Sequence, residues 1–191
     1  MMKWLLFALL AATVTAPANA QSVGEWVAQP DLSGLTVAFE HHQDGSTIVE
    51  RVALGESVGN WTMMVTNQRF AGLIAGGATI DDWLANFRAG LSGGCPGFRE
   101  HPVHRIVASG RPALELRLDC PRNPATNLPE TFFLRAIAGR ADLHITQMAF
   151  RRVPSASDEA AAQAFLAGVS LCTRTDRSAL CTAAQQTPEA R

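Results

Sequence analysis

The sequence predicts an α+β fold: a largely antiparallel sheet of about six to seven strands packed with two main helices. Three observations carry this. Several runs of about eight residues alternate apolar and polar side chains, the period of a half-buried strand. Two other stretches repeat their apolar residues at helical spacing. Glycine-bearing turns of two to five residues join neighbouring strand runs, and connections that short force antiparallel pairing.

In chain order, residues 35 to 40 (LTVAFE) and 46 to 54 (STIVERVAL) flank Asp44-Gly45, a dipeptide that tolerates the positive φ of a tight turn, so a hairpin is expected. After Gly55 to Gly59, residues 61 to 70 (WTMMVTNQRF) read as a strand with Trp61, Met63 and Val65 on one face. The period then changes. Ile80, Trp83, Leu84, Phe87 and Leu91 form one helical stripe, with Thr79 as its cap and Gly93-Gly94 as its end. Period two returns at residues 113 to 120, where Leu114, Leu116, Leu118 and Cys120 alternate with Glu115, Arg117 and Asp119. Residues 101 to 108 pair with that strand through Ser109-Gly110, and residues 131 to 138 and 142 to 151 make a second pair around Gly139. The loop PRNPATNLPE lies between the pairs. Finally Pro154, Ser155 and Ser157 precede an alanine-rich helix in which Ala162, Phe165, Leu166, Val169 and Cys172 share a face.

The first 20 residues read as a secretory signal peptide: Lys3, an apolar run from Trp4 to Val14, then Pro17 and Ala18-Asn19-Ala20, with cleavage before Gln21. Eleven apolar residues at about 1.5 Å each cover only about half of a roughly 30 Å hydrocarbon core, so no transmembrane anchor is expected. Gln21 is not a cysteine, and no lipid tether is expected either. The domain plan is a signal peptide over 1–20, an extended lead over 21–34, a single α+β domain over 35–182 and a polar tail over 183–191. Without the leader, 15 arginines stand against 17 acidic residues, a formal charge of −2. That balance offers no basic field for nucleic acid. The four cysteines, Cys95, Cys120, Cys172 and Cys181, are an even set in an exported chain and predict two disulfides. Of the three connectivities, Cys95 with Cys120 and Cys172 with Cys181 is the most local.

Gly55, Glu56, Ser57, Trp61 and Thr62, read with the order of elements, resemble the Mog1/PsbP-like α/β sandwich of small envelope proteins. The string Trp61 to Phe70, the Cys95-Pro96-Gly97 turn, the loop Cys120 to Glu130, Ala149-Phe150-Arg151 and Cys172 are similar to those of uncharacterised exported bacterial proteins. The resemblance implies a binding or assembly module and supplies no catalytic residues.

Three motifs were weighed for chemistry. Gly55-Glu56-Ser57-Val58-Gly59 matches the G-x-S-x-G nucleophile elbow, but the elbow requires a helix next and a strand-like run follows. The histidines His41, His42, His101, His104 and His144 invite a metal, yet adjacent or three-apart positions on a strand point to opposite faces, so each pair needs a loop or bend to converge and solvated strand-edge histidines are the default. Asp81-Asp82 opens a helix, where carboxylates meet the positive dipole end. In the loop from Pro121 to Glu130, three prolines and Asn123, Thr126 and Asn127 predict order. Arg122, Asn123 and Glu130 are the candidate binding residues there, against the alternative that Arg122 and Glu130 pair across the loop base.

The expected function is a non-catalytic periplasmic binding or assembly module of the bacterial cell envelope, holding an envelope protein or small ligand, with no cofactor. The alternatives are a small exported serine hydrolase using Ser57 with His101, His104 or His144, and a metal-binding periplasmic protein.

Overall fold

The computed structural model describes residues 24–185, so the expected signal peptide and its cleavage point lie outside the described residues. The elements are β1 (Glu25–Ala28), β2 (Leu35–Gln43), β3 (Ser46–Ala53), β4 (Met63–Phe70), α1 (Ile80–Gly94), β5 (Arg99–Glu100), β6 (His104–Ala108), β7 (Arg111–Cys120), β8 (Glu130–Ala138), β9 (Leu143–Phe150), α2 (Ala156–Ala167), β10 (Ser170–Thr173) and α3 (Ala179–Gln185). Eight strands form one antiparallel sheet in the order β2-β3-β4-β9-β8-β7-β5, with β6 also on β7, and β1 pairs with β10 separately.

The predicted hairpins form as their turn residues dictate. Asp44 and Gly45 (φ 50° and 77°) join β2 to β3, and Ser109 and Gly110 (φ 53° and 70°) join β6 to β7. Positive φ at both central positions matches the twist of the flanking strands. The Thr79 hydroxyl accepts from the Asp82 backbone while the Asp82 carboxylate accepts from the Thr79 N–H, and Ser155 and Asp158 repeat this box on α2. Each box satisfies two donors that a helix start leaves open.

Helices cover both faces of the sheet. On one face α1 brings Trp83, Leu84 and Leu91 against Leu114, Leu116 and Leu118 of β7, Leu134 of β8 and Ile145 of β9. On the other, Ala162, Phe165 and Leu166 of α2 meet Phe133, Met148, Phe150 and Val65. β8 and β9 are therefore buried almost end to end, while Glu40 to Gln43 of the edge strand β2 are exposed.

Several expectations are corrected. Trp61 does not share a face with Met63 and Val65: it precedes β4 and packs on the α1 side, whereas they pack on the α2 side. α1 includes Gly93 and ends at Gly94, as expected, with Cys95 as its C-cap, whose N–H bonds to Leu91 O at 2.8 Å. Val169 and Cys172 are not on the alanine-rich helix α2, because Gly168 caps it and β10 begins at Ser170. The sheet has eight strands rather than six to seven, since β5 is two residues long and invisible to any periodicity. The lead contains β1, anchored where the buried Glu25 carboxylate accepts the Arg140 N–H at 2.8 Å beside the β8–β9 turn. The cysteines form two disulfides, Cys95–Cys120 and Cys172–Cys181.

Candidate functional site

One end of the sheet gathers most of the residues that the sequence singles out. The register places there the end of β3, the starts of β4 and β8, and the ends of β7 and β9, since Val52 faces Met64, Met63 faces Phe150, Phe150 faces Thr131 and Cys120 faces Glu130. The connections 54–62, 121–130 and 151–155 cap this end.

The 54–62 connection is a rigid corner. Glu56 accepts from the Thr62 backbone N–H at 3.1 Å and from its hydroxyl at 2.7 Å. Those bonds hold the Glu56 carboxyl below the usual range despite the opposing effect of burial. Arg151 stacks over Trp61 at 4.2 Å and donates to the carbonyls of Gly59 (3.0 Å) and Val58 (3.4 Å). The family-like residues Glu56, Trp61, Thr62 and Arg151 thus meet in space as a structural clamp. Ser57 is exposed in this corner, bonded through its backbone to Asn60, and β4 follows it rather than a helix. No hydrogen bond of the described residues joins its hydroxyl to a histidine, so the elbow geometry is not built.

The loop 121–130 is ordered by its own bonds. Asn123 N–H donates to Leu128 O at 2.8 Å, Asn127 N–H to Asn123 O at 2.7 Å, and the Asn123 side chain accepts from Ala125 N–H at 2.9 Å. Asn127 takes the left-handed backbone (φ 62°) that asparagine tolerates. Of the three candidate residues, two are engaged internally: the Asn123 amide donates to Glu130 at 2.8 Å, and Glu130 faces Arg151 at 3.8 Å. Arg122 does not pair with Glu130. It is exposed and donates to the Asn127 side-chain oxygen, and no carboxylate among the described residues forms an ion pair with it. Leu128 of the same loop is 46% exposed, and Leu54 and Val153, on the connections that follow β3 and β9 at this end of the sheet, are 73% and 74% exposed.

The histidines scatter. His41 and His42 lie on the exposed end of β2, where His42 bonds Glu40 at 2.7 Å. His144 is buried on β9. His101 and His104 do converge, through the bend that such a pair needs: Arg99 faces Asp119 and Glu100 faces Leu118, but His104 faces Glu115. Four steps from Glu100 to His104 match three from Leu118 to Glu115, so one extra residue bulges the edge and turns both rings toward α2. His101 Nε2 bonds Asp119 at 2.8 Å. Asp119 is partly buried, which raises its pKa, but bonds from Arg99, His101 and Arg117 outweigh burial and hold the carboxyl well below the usual range. No group of three or more metal-capable side chains occurs among the described residues.

No family model matches the chain. No curated protein matches it either. Among solved structures, it is similar to PA94 from Pseudomonas aeruginosa, a protein of unknown function, with 18% identity and a TM-score of 0.45 over 68% of this chain and 89% of that one. It is also similar to LpqN of Mycobacterium tuberculosis, involved in cell envelope biogenesis, with 8% identity and a TM-score of 0.43 over 80% of this chain and 87% of that one. No helix of the described residues is long and apolar enough to cross a membrane.

Proposed function

We propose that the chain is a non-catalytic binding or assembly module of the bacterial cell envelope, exported to the periplasm, with a Mog1/PsbP-like sandwich as its scaffold. Its partner docks at the sheet end built by loop 121–130. The observation that carries this reading is the exposed surface of that end: on a self-bonded, proline-stiffened loop, Arg122 has only an amide for a partner among the described residues and Leu128 is exposed, and Leu54 and Val153 are exposed on the other connections of the same end. Exposed apolar residues and an exposed guanidinium at one end of a sheet are what a protein interface uses for its core and its orientation. A stiff loop also loses little entropy when it binds. Asn123 and Glu130 shape this surface from beneath, and Arg122 is the residue that reaches the partner. The export leader and two disulfides support an oxidising compartment.

The test is crosslinking capture from the native envelope with wild-type and Arg122→Ala protein. The variant should melt like wild type, within about 0.5 kcal/mol, and lose capture. Equal capture by a stably folded Arg122→Ala protein would remove this end of the sheet as the docking surface.

A further inference from the structure

A second surface lies apart from that loop, along the bulged edge of the sheet. An open cleft of about 620 Å³ runs between α2 and β7, with His101, Pro102 and His104 on one wall, Gln163, Leu166 and Ala167 on the other, and Glu115, Arg117 and Arg135 in its floor. We propose that this cleft binds a small organic anion, a carboxylate or phosphate head on a short apolar body.

Four of its lining side chains are basic and one is acidic. Arg117 is held in place before any ligand arrives: Nε donates to Asp119 at 3.0 Å, Nη1 to Glu159 at 2.8 Å, and the guanidinium lies over Phe133 at 5.3 Å. Neither carboxylate is among the residues that line the cleft. A guanidinium has five N–H donors, so Arg117 keeps its Nη2 pair for a ligand. Arg135 is immobilised in the same way, with Nε and Nη2 on Glu115 at 3.0 and 2.5 Å and Nη1 on the carbonyls of Ala167 and Val169 at 3.3 and 3.0 Å. Its Nε and Nη2 both end on Glu115 Oε1, which pairs the one acidic lining group with Arg135.

The walls add donors that nothing in the fold uses. His104 and Gln163 are exposed and have no hydrogen-bond partner among the described residues, and His101 has only its Nε2 engaged. Pro102, Leu166 and Ala167 offer apolar surface for a short hydrocarbon body. Preorganised guanidinium donors beside unused imidazole and amide donors are the chemistry that recognises an oxyanion.

The experiment is an amide-shift titration of the whole protein with hexanoate, hexyl phosphate, inorganic phosphate and hexylamine. Either hexyl anion should give saturable shifts at His104, Glu115 and Gln163, and which one binds tighter identifies the head group. Hexyl phosphate should bind more tightly than inorganic phosphate. Gln163→Glu places a carboxylate beside the head and should weaken anion binding by about tenfold or more. His104→Ala should weaken it as well, and both exposed changes should leave melting unaltered. The proposal is overturned if neither hexyl anion binds saturably, if hexylamine binds as well, if inorganic phosphate matches hexyl phosphate, or if Gln163→Glu leaves the affinity unchanged. None of these outcomes bears on capture through Arg122.

Discussion

His144 sits on β9 with 3% of its surface exposed, and its Nε2 finds no hydrogen-bond partner. Burial lowers its pKa to about 4, Asp142 opposes that shift, and Arg69 across the strand pair adds to it. An unfolded histidine titrates near 6.5, so acid protonates the unfolded chain first. The folded state therefore loses stability as pH falls from about 6.5 to 4, by up to about 3 kcal/mol, and gains nothing from this group above that window. Urea unfolding at pH 7 and pH 4.5 should show this loss in wild type and a smaller one in His144→Leu. Equal pH slopes would assign the loss to other groups. The same residue marks a limit of sequence reading: the notion of solvated strand-edge histidines fits His41 and His42 but fails for His144, because nothing local says that both faces of β9 are covered.

At the scale of elements, long periodic segments were legible and short ones were not. The stripe from Ile80 to Leu91 and the alternation from Leu114 to Cys120 predict α1 and β7, since each repeats its period several times. β1, β5 and β10 have four, two and four residues, too few to express a period, and exist because partners wait for them. The bulge that turns His101 and His104 to one face follows from where β5 and β6 register on β7, a long-range fact. α1 continues through Gly93-Gly94 even though glycine is costly in a helix, and Cys95 at its end is tied to Cys120. That bridge closes 25 residues and constrains the unfolded chain by about 3.5 kcal/mol, whereas Cys172–Cys181 closes 9 and constrains it by about 2.5 kcal/mol. Chemical denaturation of the two double Cys→Ala variants should preserve that order; a costlier loss of Cys172–Cys181 would show that docking of α3 and β1, not loop entropy, dominates there.

For the molecule as a whole, the sheet is a plate with α1 on one face and α2, β10 and the lead on the other. The lead is strapped down at two points, Glu25 on the Arg140 N–H and Pro30 against Gly168, where an added Cβ would come within 2.6 Å of the proline ring. Export and bridging are tested together by the intact mass of protein recovered from the periplasm. It should begin at Gln21 and weigh four hydrogens less than the reduced chain. Free thiols or a retained leader would contradict the exported, oxidised state.

The sequence by itself determined the α+β class, the order of the long elements, the Thr79 cap of α1, two tight turns and the even cysteine set. Each of these is a local matter of period, φ preference or side-chain reach, written within about ten residues of chain. Only the tertiary structure decided that Trp61 and Arg151 stack, that Arg122 is left without a carboxylate while Glu130 faces Arg151, and that two histidines share a cleft with Arg117. Those contacts join segments far apart in the sequence, and their geometry follows from strand register and helix packing, which no single segment encodes.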